Sequence, residues 1–273
     1  MALAKVVVIG AGPMGLAAWI WTRIKRVGSS RKSIMQEELG YLGGGSKTLI
    51  DVLAAAIEAK GGRIHLGSSA QQVTVANDSV VKVQTKTAFF TADHVISTIP
   101  TPNISRLVPD LPEDWRARYE ALKKIGICCV VFKLKRSVSP HLINLGQTDH
   151  EIPGVIEFSN LRDVGTVIVY VPYYMPTTNR KFSWTDDELV QDAFGCLAEL
   201  NPDLLPEDLI NASVARLRDA QPICDVGFAA KISPVQTGIR GLQIADTCFY
   251  YPEDRGIAES VRLGGDMARA ISS

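Results

Sequence analysis

Three glycines near the start of the chain have the spacing that lets a backbone turn close around a pyrophosphate. Gly10, Gly12 and Gly15 form a G-x-G-x-x-G pattern that encloses Pro13 and Met14. The first glycine permits a tight bend, the second lets the backbone approach the ligand, and the third lets a helix pack on the preceding strand. The free N–H groups of that helix attract phosphate oxygens. These five residues therefore form a candidate dinucleotide site.

The secondary structure predicted on either side of this turn indicates whether the glycine pattern binds a ligand. Residues 5–9 consist of a lysine followed by four β-branched apolar residues, which is typical of a short buried strand, and residues 16–26 have a helical pattern. A strand, a glycine turn and a helix in this order favour dinucleotide binding over a purely structural turn.

The second half of a dinucleotide-binding unit is missing from its usual place. Such a unit continues with a strand that ends in Asp or Glu, about 20 residues after the glycines, to hold the ribose hydroxyls. Residues 27–33 are polar and basic instead, and Glu37 and Glu38 follow no β-branched run. We interpret these two residues as surface carboxylates and infer that sequence is absent at this point.

The rest of the chain alternates between short strands and amphipathic helices. Ser46 is a candidate N-cap for a helix over residues 47–60, which Gly61 and Gly62 would end. Thr185 is a candidate cap for a second long helix. Strands are predicted at residues 63–66, 72–75, 80–85, 89–90, 93–100, 127–134, 154–158, 166–172 and 241–246, a turn at residues 77–79, and further helices at residues 115–124, 185–200 and 256–271.

Charge and cysteine content narrow the class of protein. Lysine and arginine together number 29, and so do aspartate and glutamate, so nothing indicates nucleic acid or an anionic membrane as a partner. No apolar run reaches the roughly 18 residues that cross a bilayer. The five cysteines have no C-x-x-C spacing. We expect a cytoplasmic protein with buried thiols, without a disulfide framework and without a metal site.

No side chain stands out as a catalytic base or nucleophile, so the catalytic residues stay unassigned. His65 and His94 lie in predicted strands, where we expect structural histidines. Tyr170, Tyr173 and Tyr174 either line a substrate cavity or pack on a half-buried strand.

Four blocks of the sequence together resemble the superfamily of flavin amine oxidases, protoporphyrinogen oxidases and phytoene desaturases. They are residues 6–15, residues 42–73, residues 92–100, and residues 241–246 with Tyr251, Pro252 and the closing helix. The four blocks occur in the same order as in members of the superfamily and lie towards both ends of the chain. The combination is therefore more specific to the superfamily than any single block. Residues 103–233 match only in position and general pattern.

The resemblance implies FAD as the cofactor, with roles assigned by position. The glycine turn would cradle the pyrophosphate, and the backbone of Val73 would meet the adenine edge. Asp246 would lie near the pyrophosphate and the ribityl chain, although a strand-end carboxylate that caps a turn is the alternative. The closing helix would direct its N-terminus at the N1 and O2 side of the flavin, where negative charge gathers on reduction. The implied FAD-binding set is Gly10, Gly12, Pro13, Met14, Gly15, Gly44, Val73, Thr98, Pro100, Asp246, Gly256, Ile257 and Ala258.

The chain also departs from the pattern of the superfamily. Members usually carry a long stretch between the first helix and the block at Gly43, with the second strand, its ribose-binding glutamate, an arginine-rich glycine turn and part of the substrate lobe. About 150 residues are absent by this comparison, which is the size of a domain. Each lost charged hydrogen bond would weaken FAD binding by about 1.5–3 kcal/mol.

These observations predict an α/β fold in which a Rossmann-like FAD/NAD(P)-binding domain carries a second, α+β substrate lobe. We expect residues 1–102 and 234–273 to form the FAD-binding domain and residues 103–233 to form the substrate lobe. The expected function is oxidation of a small-molecule substrate by hydride transfer from a C–N or C–C bond to flavin. Two alternatives remain open: a truncated or degenerate member with little FAD binding and no turnover, and a flavin-dependent isomerase or mutase.

Overall fold

The computed structural model describes residues 31–33, 36–37, 42–139, 143–144, 150–253 and 256–272. The predicted strand at residues 5–9, the predicted helix at residues 16–26, and Gly10, Gly12, Pro13, Met14 and Gly15 lie outside the described residues. Within the described ranges, none of the helices combines the length and the apolar character needed to cross a membrane.

Short strands and six helices alternate along the described ranges. The helices are α1 (Ser46–Ala59), α2 (Ile104–Leu107), α3 (Glu113–Glu120), α4 (Asp186–Leu200), α5 (Phe228–Lys231) and α6 (Ile257–Ser272). The strands are β1 (Arg31–Ser33), β2 (Gln36–Glu37), β3 (Ala70–Ala76), β4 (Ser79–Thr85), β5 (Phe89–Thr91), β6 (Val95–Ser97), β7 (Lys124–Leu134), β8 (Ile143–Asn144), β9 (Gly154–Glu157), β10 (Val167–Met175), β11 (Leu209–Pro222) and β12 (Leu242–Ile244).

The largest sheet has five antiparallel strands in the order β11-β7-β10-β9-β8. Alternate side chains of β7 and β10 are buried, because successive residues of a strand point to opposite faces. Val130, Phe132 and Val171 on the buried face pack with Leu189 and Leu197 of α4 in one hydrophobic cluster. Helix α4 therefore covers one face of this sheet.

Helix α4 begins with the hydrogen-bond pattern of a capping box. The hydroxyl of Thr185 accepts from the backbone N–H of Glu188 (3.3 Å), and the carboxylate of Glu188 accepts from the backbone N–H of Thr185 (2.7 Å). Asp186 and Asp187 place negative charge in the first turn, which suits the helix dipole. The predicted cap of this helix is confirmed.

Two parallel strands, β6 and β12, form the centre of a second core. Leu242 and Ile244 point to one face of the pair, where they join a hydrophobic cluster with residues of β3, β4, α2 and α3. Gln243 points to the opposite face, where its Nε2 donates to the carbonyl of Met267 in α6 (3.1 Å). The parallel pair therefore lies between a layer that includes the β3-β4-β5 sheet and helix α6.

The buried apolar residues thus form two clusters, one in each of these regions. Residues between Ile104 and Leu122 belong to the cluster of the parallel pair. The domain limits after residues 102 and 233 stay a prediction.

The β3–β4 hairpin is fastened to the start of β12. Asn77 and Asp78 form its predicted turn, with φ values of 50° and 56°. Arg240 donates its backbone N–H to the Asp78 carbonyl (2.8 Å) and its Nη2 to the Asn77 carbonyl (2.9 Å). Gly241 follows with φ 78°, and a Cβ there would lie 2.2 Å from the carbonyl oxygen of Asp93. Only glycine fits this position without a shift of backbone.

Three predicted boundaries are wrong. Residues 63–66 form no strand, and no described strand pairs with them. The helix predicted at residues 115–124 is α3, which ends earlier because Lys124 already pairs with β11. Ser46 is the first residue of α1 and not its cap, since Gly45, with φ 76°, precedes the helix without a side-chain hydrogen bond.

All five cysteines lie within the described residues, and none of them forms a disulfide there. Cys128, Cys196 and Cys248 are buried as expected, whereas Cys224 is exposed, which corrects the expectation for that residue. Among the described residues, no group of three His, Cys, Asp or Glu side chains is arranged to hold a metal ion.

Candidate functional site

The carboxyl ends of β6 and β12 meet at one edge, because the two strands are parallel. Thr98 and Pro100 follow β6, and a 3₁₀ turn at Thr101–Asn103 comes next. Asp246 follows β12 and precedes a 3₁₀ turn at Thr247–Tyr250. The backbone N–H of Thr101 donates to Asp246 Oδ2 at 2.6 Å, across a sequence separation of 145 residues. We call this place the strand-end edge.

Asp246 is the most heavily bonded residue at the strand-end edge. Its Oδ1 accepts from the backbone N–H of Cys248 (2.8 Å), so the carboxylate caps the turn that follows. Its Oδ2 accepts from Thr101 and also from Lys124 Nζ (2.5 Å). Only 4% of the Asp246 side chain and 1% of the Lys124 side chain are exposed. The turn-capping alternative for Asp246 is therefore confirmed, and its contact with FAD stays a prediction.

The charge of Asp246 affects the groups around it. Burial opposes ionisation, but the Lys124 ammonium and the two backbone N–H donors hold the pKa of Asp246 below its ordinary value. Burial and the nearby Asp246 carboxylate raise the pKa of Tyr119, and the same two causes raise the pKa of Cys248 to about 12. A buried carboxylate, an ammonium and neutral hydroxyl and thiol groups therefore share this edge.

Two hydroxyl groups at the strand-end edge are buried without a hydrogen-bond partner among the described residues. They are Ser97 Oγ at the end of β6 and Thr101 Oγ1 just beyond it. The Tyr119 hydroxyl and Gln243 Oε1 are likewise buried without a hydrogen-bond partner among the described residues. A buried polar atom without a partner costs about 1–3 kcal/mol. Ser97 Oγ therefore has bonding capacity left for a polar group that reaches this edge, whereas the Thr101 hydroxyl also interacts with the Cys248 thiol.

Helix α6 presents its N-terminus after the turn that Asp246 caps. Gly256, Ile257 and Ala258 are exposed, and the first N–H groups of a helix have no intrahelical partner. The Tyr250 hydroxyl lies 2.8 Å from Ser260 Oγ, which ties the first turn of α6 to the preceding segment. The unpaired N–H groups at this end of α6 favour negative charge, and the flavin contact that the resemblance implies for these three residues stays a prediction.

Gly44 and Val73 lie elsewhere in the described structure. Gly44 is exposed in the turn before α1, and a Cβ there would lie 2.0 Å from the Thr48 hydroxyl, which would have to rotate. Val73 is buried in β3, an edge strand of its sheet, so one backbone edge of β3 has no strand partner among the described residues. No described hydrogen bond joins Gly44 to the strand-end edge. The roles of both residues stay predictions.

The three tyrosines of β10 divide between the two faces of the large sheet. Tyr173 is buried in the core beneath α4, so packing is its role there. Tyr170 and Tyr174 point to the opposite face, beside Val131 and Ile127 of β7, and Tyr174 is 40% exposed. Tyr170 packs edge-on against Phe158, with ring centroids 6.0 Å apart, so the cavity role that the sequence left open for these two tyrosines stays a prediction.

A charged cluster on the α4 side of the large sheet was not predicted. His150 Nδ1 lies 3.0 Å from Asp192 Oδ1, and its Nε2 lies 3.1 Å from Glu199 Oε1. Lys181 Nζ donates to Asp192 Oδ2 (2.9 Å) and to the His150 carbonyl (2.7 Å), and the Tyr173 hydroxyl donates to Asp192 Oδ2 (2.9 Å). Burial opposes the imidazolium, but the bonds to Asp192 and Glu199 raise the pKa of His150.

Sequence reasoning missed Lys124, His150 and Lys181. A lysine at the start of an apolar strand was the available signal for Lys124, but its partner lies 122 residues away. Neither of the two histidines that were predicted to lie in strands does so. His65 is exposed outside any strand, with its ring 4.8 Å from that of Phe90, and His94 is exposed before β6.

Comparisons with known proteins agree with the resemblance seen in the sequence. The profile of a family described as "Flavin containing amine oxidoreductase" matches residues 15–219, about three quarters of the chain. This match confirms the superfamily expected from the four sequence blocks. No curated protein matches the chain.

Several solved structures share the fold at low sequence identity. A protein from Exiguobacterium sp. 255-15 assigned as a protoporphyrinogen oxidase gives a TM-score of 0.70 at 17% identity, covering 92% of this chain and 56% of that chain. Wild-type putrescine oxidase bound to putrescine gives 0.61 at 16%, covering 84% and 53%. Reduced UDP-galactopyranose mutase gives 0.56 at 17%, covering 77% and 48%. The chain spans about half the length of these proteins.

Proposed function

The chain belongs to the family of flavin-containing amine oxidoreductases, and from this premise we propose that it binds FAD at the strand-end edge. FAD is the cofactor of that family. The proposed activity is oxidation of a small molecule at a C–N or C–C bond, with the hydride passed to the flavin.

One observation carries the proposal most strongly. Two segments that are 145 residues apart in sequence meet at the carboxyl ends of adjacent parallel strands, where Thr101 donates to Asp246. In open α/β sheets, nucleotides bind outside the carboxyl ends of the strands. The Rossmann-like assignment and the nucleotide site at this edge are both supported by that geometry.

The residues present at the edge fit FAD in chemistry. The buried hydroxyl of Ser97 has no partner among the described residues, so in this proposal it bonds the polar ribityl or phosphate part of the cofactor. The exposed N-terminus of α6, at residues 256–258, would stabilise negative charge on the flavin ring. In this proposal the glycine turn at Gly10 and Gly12 holds the pyrophosphate.

The substrate would meet the face of the large sheet that α4 does not cover. Tyr170 and Tyr174 stand on this face beside Ile127, Cys129 and Val131, which are apolar or weakly polar. In this proposal the apolar body of a small molecule packs against this surface. The substrate gives a hydride to the flavin and loses a proton from the adjacent atom, and no described side chain is assigned to accept that proton.

The visible spectrum of the purified protein tests the proposal. Flavin absorption bands after purification or after reconstitution with FAD are the expected result. A Gly12→Val variant should lose the bands because its side chain blocks backbone approach to the pyrophosphate. Gly43→Ala is the matched control, since an added Cβ at Gly43 meets nothing within 4 Å. A wild-type chain that stays colourless in excess FAD would overturn the proposal.

A degenerate family member without turnover is the second candidate. It is favoured by the carboxylate of Asp246, which is already bonded to Lys124, Thr101 and Cys248, and by the span of about half of the related structures. Colourless protein with a normal folded circular dichroism spectrum is the result that this candidate predicts.

A flavin-dependent mutase is the third candidate, favoured by the structural likeness to reduced UDP-galactopyranose mutase. An oxidoreductase and a mutase would both show flavin bands. Anaerobic addition of a substrate bleaches the flavin of an oxidoreductase, because the substrate gives up two electrons. A mutase would convert its substrate without net bleaching.

A further inference from the structure

The buried ion pair between Lys124 and Asp246 joins the two regions of the molecule. We propose that Lys124 is a positioning residue, which fixes the large sheet, and with it the substrate-facing row of β7, against the strand-end edge. The inference rests on the proposed function, because it assigns the edge to the cofactor and the sheet face to the substrate.

The position of Lys124 in the fold is the first step. It is the first residue of β7, and β7 is the strand of the large sheet that pairs with both β11 and β10. Its ammonium lies 2.5 Å from Asp246 Oδ2 and 3.5 Å from the Thr247 hydroxyl. One side chain therefore connects the start of the large sheet to the segment that ends β12.

The carboxylate of Asp246 connects three segments of the chain. It accepts from Thr101 after β6, from Cys248 after β12 and from Lys124 at β7. A second, weaker link runs in parallel, where Asn103 Nδ2 donates to Asp219 Oδ2 of β11 at 3.1 Å. The carboxyl ends of both parallel strands and the start of β7 are therefore held by one charged group.

The charged character of the Lys124–Asp246 pair favours a positioning role over a contribution to stability. A buried ion pair adds little net stability, because desolvation offsets most of the attraction, and apolar residues often replace it without loss. Removal of one partner, by contrast, leaves a buried charge without compensation. In this inference the pair fixes the distance between the start of β7 and the strand-end edge.

The substrate-facing row of β7 lies a short distance from this pair. Ile127, Cys129 and Val131 point away from α4, and Ile127 is three residues from Lys124. A strand rises about 3.3 Å per residue, so Ile127 lies about 10 Å along β7 from the pair. Lys124 and this row lie on opposite faces of β7, so in this inference the pair sets the position of the row through the strand and not by direct contact.

The first experiment uses the full chain reconstituted with FAD and compares Lys124→Met with Lys123→Met. Lys123 is the adjacent lysine and is exposed, so it is a matched control. At 10 °C, where both variants are folded, we expect iodide to quench the bound flavin of Lys124→Met at least threefold more strongly than that of the wild type. The Lys123→Met variant should match the wild type. Equal quenching in all three proteins would overturn the positioning role.

The second experiment measures the ion pair itself in the apoprotein. Lys124→Met and Asp246→Asn should each lower the melting temperature by about 10 °C, because each leaves a buried charged or polar partner. The double variant should lose no more than the worse single variant, since the two side chains act as a unit. Additive losses would show that the pair is not coupled and would contradict the inference.

The two experiments separate the inference from the proposed function. A wild-type chain that takes up no FAD overturns the proposed function and, with it, the positioning of a substrate near a cofactor. The thermal cycle then still reports whether Lys124 and Asp246 are coupled. Flavin binding with unchanged quenching in Lys124→Met overturns the inference alone.

Discussion

Helices α1 and α4 have similar lengths and opposite surroundings. Four residues of α4 are buried against the large sheet. No residue of α1 is buried, although Ile50, Leu53 and Ile57 form an apolar stripe, and Ile50 is 63% exposed. The apolar pattern predicts a helix and its inner face in both cases. It does not predict whether another layer covers that face.

The two regions of the molecule differ in the same respect. The α4 side of the large sheet is a closed core built from one continuous stretch of chain. In the region of the parallel strands, Ile96 and Ile99 of the described residues are exposed. The absent segment inferred from the sequence between the first helix and Gly43 stays a prediction.

The largest effect should come from opening the closed core. Phe132 is fully buried in β7, with its ring centroid 6.1 Å from that of Phe194. Phe132→Ala should lower the free energy of unfolding by about 3–5 kcal/mol, because it leaves a cavity. Urea denaturation followed by circular dichroism measures the loss. Lys133→Ala, at the exposed neighbouring position, should stay within about 0.5 kcal/mol of the wild type. Similar losses in both variants would show that this core is not closed.

The second largest effect tests how rigidly β12 is held in the region of the parallel strands. Gly241→Ala places a Cβ 2.2 Å from the Asp93 carbonyl oxygen at a φ of 78°. We expect a loss of about 2–3 kcal/mol from the strained φ and the backbone shift. Thermal unfolding measures it. Gly264→Ala in α6, where an added Cβ meets nothing, should instead gain up to about 1 kcal/mol. An unaffected Gly241→Ala variant would show that β12 is loosely held.

The sequence predicted the local structure better than the long-range contacts. The cap at Thr185, the turn at Asn77 and the meander strands were predictable, because each depends on residues a few positions apart. The strand at residues 63–66 was predicted from alternation alone and failed, because a strand also needs a partner. The parallel pairing of β6 with β12 was not predicted, because no local pattern joins two strands that lie so far apart in the sequence.

The candidate site shows the same limit. Asp246 was identified from its place at the end of an apolar strand, but its three donors come from separate segments that no local pattern joins. Lys124 was missed because a lysine beside a second lysine reads as a solvated pair. Gly10, Gly12, Pro13, Met14 and Gly15 lie outside the described residues, so their role stays a prediction.

A smaller effect concerns the pH dependence of the closed core. The raised pKa of His150 means that its bonds to Asp192 and Glu199 stabilise the fold fully below the unfolded value near 6.5. This contribution is lost as the pH rises through the higher folded value. His150→Gln should therefore cost about 1 kcal/mol at pH 5.5 and less at pH 9, by urea denaturation. His94→Gln is the exposed control. A loss that grows with pH would contradict the assigned charge.

The smallest effect should come from the uncovered helix, and it decides the comparison. Ile50→Lys on α1 should change the free energy of unfolding by less than about 0.5 kcal/mol, because the side chain is already exposed. Leu189→Lys on α4 is the matched variant, and it should cost more than about 3 kcal/mol because it buries an unpaired charge. Urea denaturation of both variants gives the contrast. A large loss in Ile50→Lys would show that another layer covers α1 in solution. The contrast between the exposed face of α1 and the buried face of α4 would then be wrong.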